Sequence, residues 1–257
     1  MTVAGRNEGY PVAVSVLLPA FEAAATIGEA VASVRAQSFG DWELLVVDDG
    51  SRDGTQAAAA AAAAGDARIR VLRLEENRGA AAARNAGLAA ARGRRIAFLD
   101  ADDLWMPEKL GRQVAFMEAT GAALSYTGFR RVRMGDGGAG RIVAVPPCVT
   151  RDALLHGNVI GCLTACYDRA VLGSVPMPPL RLRQDFALWL EILSRVGHAR
   201  GLTEPLAVHR TRRGSLSSGR ARAAAATWEM YRRHLGLSRA RAGWYLGNHL
   251  VRRALRG

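Results

Sequence analysis

Asp100-Ala101-Asp102-Asp103 sets three carboxylates within four residues, directly after the apolar run Ile96-Ala97-Phe98-Leu99. Like charges packed so closely raise one another's pKa, and the arrangement is costly unless a cation joins it. Mg²⁺ and Mn²⁺ favour oxygen ligands of this kind, and Mg²⁺ typically combines one or two carboxylates with substrate phosphates. Open α/β sheets bind their ligands just outside the carboxyl ends of strands, which is where this acidic run falls. The same residues also suit a turn that caps a helix beginning near Pro107, with Asp102 or Asp103 as the cap. The stretches around them have to decide.

Those stretches alternate between strand and helix. Val12 to Leu18 is an apolar run of strand length stopped by Pro19, and Glu43 to Val47 and Ile69 to Leu72 are similar runs. Thr26-Ile27-Gly28-Glu29 has the spacing of a capping box, which predicts a helix to about Gln37. A second helix is expected from Asp53-Gly54-Thr55 through the alanine run 57–64, and a third from about Ala80 to Ala91. Strand and helix alternate four times in the first hundred residues, so right-handed crossovers predict a parallel sheet with helices on both faces. The loops Pro19-Ala20-Phe21-Glu22, Asp48-Asp49-Gly50-Ser51 and Asp100-Ala101-Asp102-Asp103 then converge on one sheet edge. Taken singly, Asp48-Asp49-Gly50-Ser51 suits an ordinary turn. Arg78 and Arg84 flank the start of the third helix, and a helix start with nearby arginine suits a diphosphate.

In this order the motifs Val14-Ser15-Val16-Leu17-Leu18-Pro19-Ala20-Phe21, Val46-Val47-Asp48-Asp49-Gly50-Ser51, Asn77-Arg78-Gly79 with Ala83-Arg84-Asn85-Ala86-Gly87, and Phe98 to Asp103 resemble glycosyltransferase family 2. The likeness runs from about Val12 to Pro107, and thinly to about Ser217 through Gln184-Asp185-Phe186-Ala187-Leu188-Trp189-Leu190. It implies a GT-A, Rossmann-like, mostly parallel sheet flanked by helices. It divides the chain into a transferase domain (1–218) and a C-terminal helical extension (219–257). Within the domain, about 12–107 form the nucleotide-sugar half and about 108–218 the acceptor half. The resemblance further implies an inverting transfer of one sugar from a nucleotide-sugar donor, read as a UDP-sugar, to a hydroxyl of a glycan or lipid-linked acceptor. Asp49 is then expected to bond the base, with Pro19 and Phe21 lining its pocket. Glu22, Arg78, Arg84, Asp100 and Ala101 complete the donor site. Asp102, with Asp100 and His209, is expected to hold Mn²⁺ or Mg²⁺, which neutralises the diphosphate leaving group. Asp185 is the expected general base, and single displacement needs one base and no covalent nucleophile.

Plainer readings stand beside these. Asp185 also suits a cap for a helix from Phe186 to Arg195, Trp189 suits the core of that helix, and His209 beside Arg210, Arg212 and Arg213 suits a solvated basic loop. His156 and Asn158 fall where family members shape the acceptor pocket. The chain departs from the family at Glu22, where Asn is usual, and at Gln184, where an acid is usual. It has no Gln-x-x-Arg-Trp element and no run long enough to span a membrane, which favours single addition over processive synthesis.

The net charge of +12 is unevenly placed, because the stretch from Pro205 onward holds twelve arginines against one acid, Glu229. Two helices are predicted there. One presents Ala224, Trp228, Tyr231 and Leu235 on one face; the other, after Ser238, carries Trp244, Leu246, Leu250, Val251 and Leu255. Arginines 220, 222, 232, 233, 239, 241, 252, 253 and 256 flank these positions. Such helices suit either an anionic membrane surface, where each basic residue contributes roughly 1 kcal/mol, or packing onto the domain with arginine left in water. No nucleic-acid reading motif accompanies the charge, so no nucleic-acid partner is expected. The polar N-terminus and three cysteines, with Cys162 and Cys166 read as buried thiols, predict a cytoplasmic protein, peripheral to the inner membrane face if the tail binds lipid. A sugar nucleotidyltransferase would carry a Gly-rich, Lys-bearing loop after the first strand, whereas the one lysine here is Lys109. A catalytically silent, GT-A-like binding module at the membrane is the alternative class, against which the full set Asp49, Asp100, Asp102 and Asp185 argues.

Overall fold

The structure, a computed structural model, describes residues 9–135, 139–211 and 220–256. The first half runs β1 (Val12–Ala20), α1 (Ile27–Arg35), β2 (Trp42–Asp48), α2 (Thr55–Ala63), β3 (Ile69–Arg73), α3 (Ala80–Ala90) and β4 (Gly93–Phe98). These are the predicted elements, moved by one to three residues at their ends. The strands lie in the order β3-β2-β1-β4, all parallel. Every residue of β2 is buried, as expected of a strand covered by helices on both sides.

Beyond β4 the chain forms β5 (Leu104–Trp105), α4 (Lys109–Thr120), β6 (Leu124–Arg133), β7 (Arg141–Val143), β8 (Cys148–Thr150), α5 (Arg151–Leu155), β9 (Cys166–Asp168), α6 (Arg169–Leu172), α7 (Gln184–Val196) and β10 (His198–Thr211). The sheet continues β9-β6-β10-β5 and becomes mixed, because β9 runs antiparallel to both β4 and β6. The Asp103 end of the acidic loop is stapled into this second half: β5 pairs antiparallel with Ala207 and Val208 of β10.

Two cores sandwich the sheet. One packs α1, α2 and α4 on the side lined by Val16, Leu18 and Val46. The other packs α3, α5 and α7 on the side lined by Leu17, Leu45 and Phe98. Trp189 belongs to this second core, fully buried with its ring edge-on to Phe98 at 5.5 Å.

Two local expectations are corrected. Thr26 is the residue before α1 but makes no capping bond to it, so the capping box does not form. Its partner Glu29 pairs instead with Arg210 at the end of β10, because a long-range guanidinium is within reach of that face. Likewise neither Asp102 nor Asp103 caps α4; Glu108 precedes that helix.

The tail folds as α8 (Arg220–Glu229), a π turn at Met230–His234 and α9 (Arg239–Arg256). Of the positions predicted to share a face in the first segment, Tyr231 is buried and Trp228 and Leu235 pack partly buried against the core. Ala223, Thr227, Met230 and Tyr231 are the fully buried positions of the first segment, with Trp228 only half-buried. In α9 the inward stripe is Ala242, Tyr245, Leu246 and His249, at spacings of three and four, while Trp244, Leu250 and Val251 point outward. The Tyr245 hydroxyl bonds Asp152 of α5 at 2.9 Å, and His249 stacks against Phe186 of α7. The 218/219 boundary, Arg212 and Arg213, and the side chains of Arg220, Arg252, Arg253, Leu255 and Arg256 lie outside the described residues.

Candidate active site

The strand order places β1 beside both β2 and β4, so chain direction across the sheet reverses between β1 and β4. That reversal is where open α/β sheets make a crevice at their carboxyl ends. Leu17 is the last residue of β1 to pair with β4, so the strands part there and Pro19, which lacks an N–H, falls just beyond the paired region. Pro19 is buried and Phe21, in the loop after β1, is 46% exposed.

The loops are tied to one another by carboxylates. Asp49 is buried, its two oxygens accepting the Arg78 and Gly79 backbone N–H groups at 2.9 and 2.7 Å. This draws the 77–79 segment against the β2 loop. Gly50 permits the approach: its φ is +73°, and a Cβ there would lie 2.8 Å from the Glu76 carbonyl carbon. Glu22 sits at φ 49°, a left-handed conformation that Asn tolerates better than Glu. Its carboxylate accepts the Arg52 N–H at 2.9 Å, while its own N–H donates to the Ser51 hydroxyl at 3.0 Å. Glu22 thereby bridges its own loop to the Ser51-Arg52 loop.

Arg84 joins the halves of the site. It is buried on α3, and its guanidinium is paired with Asp100. With the Gln184 amide oriented to satisfy its neighbours, the Gln184 oxygen accepts from the same guanidinium at 2.8 Å. Burial works against the Arg84 cation, but Cys162 and the carboxylates of Asp100 and Asp185 more than offset it and raise its pKa. Asn85, beside it, forms a two-bond clip to the Met177 backbone at 2.7 and 2.9 Å and so holds down the segment leading to Gln184. That role was not legible in the sequence, since Asn85 and Met177 are 92 residues apart.

Asp185 stands in the first turn of α7, which begins at Gln184, so it is not the helix cap. Burial pushes its carboxyl above the usual range, against a bond from the Phe186 N–H and the charges of Arg84 and Arg183. His156 and Asn158 look elsewhere: the imidazole lies edge-on to Tyr245 of the tail at 4.9 Å, and the Asn158 side chain accepts the Ile160 N–H.

The acidic loop is held from the β10 side. Arg210 donates from its backbone N–H to Asp103 at 2.8 Å, and from its guanidinium to the Asp102 carbonyl and to Glu29. Asp103 is almost fully buried, and burial together with the nearby Asp100 and Asp102 charges raises its pKa strongly. Burial and Arg131 push His209 down, so its imidazole is a neutral donor at neutral pH. Among the described residues, however, no three His, Cys, Asp or Glu side chains lie close enough to hold a metal by themselves. Of the expected Asp100, Asp102 and His209 set, Asp100 is paired with Arg84. An excess of carboxylates at a crevice beside a neutral imidazole still fits Mg²⁺ or Mn²⁺ that takes its remaining ligands from a diphosphate.

A family model for glycosyl transferase family 2 matches residues 15–167, more than half of the chain. The chain belongs to glycosyltransferase family 2. It is 41% identical over 231 residues to TuaG of Bacillus subtilis (strain 168), named as a teichuronic acid biosynthesis glycosyltransferase, covering 90% of this chain and 92% of that one. It is 38% identical over 180 residues to WfgD of Escherichia coli, covering 70% of this chain and 69% of that one. WfgD is named as a UDP-Glc:alpha-D-GlcNAc-diphosphoundecaprenol beta-1,3-glucosyltransferase. Among solved structures, S. aureus TarS 1-349 in complex with UDP-GlcNAc superposes with a TM-score of 0.70 at 22% identity, over 93% of this chain and 71% of that one. The mannosyltransferase PcManGT from Pyrobaculum calidifontis, in complex with GDP-Man and Mn²⁺, gives 0.65 at 20%, over 94% and 70%. The mixed α/β sheet is the GT-A fold, and the protein is a glycosyltransferase.

Proposed function

We propose that the protein is an inverting, divalent-metal-dependent glycosyltransferase that moves one sugar from a UDP-sugar to a hydroxyl of a glycan or lipid-linked acceptor in cell-surface polysaccharide synthesis. The observation that carries this reading is the Arg84 bridge, which brings the Asp100–Asp103 loop and the Gln184–Asp185 turn to one crevice. Support for the substrates comes from WfgD, whose name specifies UDP-Glc and a diphosphoundecaprenol acceptor, and from the UDP-GlcNAc bound to TarS. Support for the metal comes from the Mn²⁺ complex of PcManGT and from the donor set here.

In this reading residues 12–107 are the nucleotide-sugar half, 108–218 the acceptor half and 219–257 an extension. Pro19 and Phe21 line the base pocket together with Asp49, which keeps free lone pairs beyond those used by Arg78 and Gly79. Glu22 shapes the pocket wall, and Arg78, Arg84 and the Asp100-Ala101 turn face the diphosphate and sugar. Asp102, with Asp100 and His209, would hold Mn²⁺ or Mg²⁺, whose Lewis acidity would stabilise the departing diphosphate. Arg84 would then supply a second, fixed positive charge. Asp185 would take the proton from the acceptor hydroxyl as that oxygen attacks the anomeric carbon, and its burial keeps it more basic than a surface carboxylate.

Among the described residues no helix is long and apolar enough to cross a membrane. The outward face of α9 nevertheless exposes Trp244 by 67%, Val251 by 59% and Leu250 by 43%, with exposed Arg241 one turn before Trp244. An aromatic-aliphatic stripe beside arginine suits the inner face of an anionic membrane, where a lipid-linked acceptor would be presented.

The test is release of nucleoside diphosphate from a panel of nucleotide sugars, with Mn²⁺ or EDTA, for wild type, Asp102→Ala and Asp185→Asn. Metal-dependent release from a uridine donor, lost in Asp102→Ala, with Asp185→Asn binding donor but failing to transfer, is the expected result. Equal turnover in EDTA would overturn the metal assignment, and full transfer by Asp185→Asn the base assignment.

A further inference from the structure

Asp185 is gripped on both sides by the C-terminal helices. On one side Arg183 adopts φ 67°, a left-handed conformation that is costly for a residue with a side chain and persists only where its surroundings impose it. Its side chain reaches α8: the Arg183 Nε donates to the Thr227 hydroxyl oxygen at 3.0 Å and its Nη2 to the Ala223 carbonyl at 3.4 Å. Thr227 is fully buried and its hydroxyl donates to the Ala223 carbonyl at 2.8 Å, so its oxygen is oriented to accept from Arg183. On the other side Phe186, also fully buried, lies edge-on to Tyr231 and stacks against His249, both at 6.0 Å. Tyr231 is in turn anchored by its hydroxyl to the Leu155 carbonyl at 2.5 Å.

The residues before and after Gln184-Asp185 are therefore fixed by α8, the π turn and α9, whereas the acidic loop is fixed from β10. A helix that served only as a surface anchor would have no need of a buried, charge-assisted bond to the turn beside the reacting carboxylate. The Arg183 charge also acts on Asp185 directly, favouring its ionised form.

We propose that Arg183 and Thr227 are positioning residues for Asp185, so that the C-terminal extension is a working part of the transfer site. This rests on the reading of Asp185 as the general base. The transfer step itself is unchanged: the acceptor oxygen forms its bond to the anomeric carbon, the bond to the diphosphate breaks, and the proton passes to Asp185. Arg183 and Thr227 hold the receiving carboxylate on line.

The test compares Thr227→Val, Thr227→Ser and Arg183→Gly with wild type and Asp185→Asn in the full chain. Thr227→Val keeps the side-chain shape and loses the acceptor oxygen; Thr227→Ser restores it; Arg183→Gly suits the left-handed backbone and loses the guanidinium. We expect kcat for transfer to fall at least about tenfold in Thr227→Val and Arg183→Gly, KM for the nucleotide sugar to stay within about twofold, and Thr227→Ser to recover most of the rate. Near-wild-type kcat in Thr227→Val and Arg183→Gly, with Asp185→Asn inactive, overturns the positioning role and leaves the base assignment standing. A parallel fall in kcat and melting temperature with a rise in donor KM in both variants also overturns it, because that is the signature of general destabilisation. Full transfer by Asp185→Asn removes instead the reading on which the inference rests.

Discussion

Lys109 gives the sharpest quantitative test of the packing around the acidic loop. It opens α4, is fully buried, and its ammonium has no hydrogen-bond partner among the described residues. The Trp105 ring, 3.7 Å from the nitrogen, is its main polarisable neighbour. Burial pushes its pKa from 10.5 down to about 7, with the nearby Cys166 and Cys162 pulling weakly the other way. Below about pH 7 both folded and unfolded chains carry the proton, and the folded state bears the whole cost of burying it. Between about 7 and 10.5 the unfolded chain is protonated and the folded one is not, so stability rises with pH by about 1.4 kcal/mol per pH unit. Above 10.5 both are neutral and the cost is gone. The full difference is at most about 5 kcal/mol, against about 2 kcal/mol for a desolvated cation over an indole ring, which is already part of the observed balance. Lys109→Met keeps an unbranched chain of similar length and removes the charge. In urea unfolding the variant should exceed wild type by several kcal/mol at pH 6, and the gap should narrow to about 2 kcal/mol at pH 9. Subtracting one protein from the other cancels groups common to both. A gap that is the same at pH 6 and pH 9, or a variant less stable than wild type at pH 6, would refute the account.

Two further outcomes follow from other parts of the molecule. Arg210→Met removes the guanidinium bonds to the Asp102 carbonyl and to Glu29 but leaves the backbone bond to Asp103, and at roughly 0.5–1.5 kcal/mol per hydrogen bond it should weaken Mn²⁺ binding several-fold. Calorimetric titration or the resonance of free Mn²⁺ reads this directly, and unchanged affinity would show that the Arg210 guanidinium does not set the acidic loop. Trp244→Ala with Val251→Ser should strip the protein from anionic vesicles in a flotation assay while leaving donor turnover in detergent intact. Retention on the vesicles would assign the exposed face of α9 to something other than lipid.

The first hundred residues were legible because each signal was local. Apolar runs the length of a strand, broken by Pro19 or by Asp48-Asp49, set β1, β2, β3 and β4, and the helices between them forced parallel crossovers. The convergence of three loops followed from that topology alone. Local reading failed where a distant partner won. Thr26 and Glu29 spell a capping box, but Arg210, 181 residues away, takes the glutamate. Asp102 and Asp103 look like caps, but β10 takes the loop. The tail showed its two helices, its basic character and the inward Trp228, Tyr231 and Leu235 in sequence, but not which side of α9 faces the domain. Helical periodicity alone cannot tell Tyr245 and His249, which meet Asp152 of α5 and Phe186 of α7, from the more hydrophobic Trp244 and Val251, which stay exposed.

The sequence by itself determined the family, the parallel half of the sheet and the edge on which the three polar loops converge, because those depend on spacing within a strand, a turn or a helix. Only the tertiary structure decided that Arg84 spans Asp100 and Gln184, that Asn85 clips Met177, and that Arg183 is held by Thr227. Each of these is a bond between segments far apart in the chain. Such bonds depend on the direction and depth of packed elements, and no local pattern encodes them.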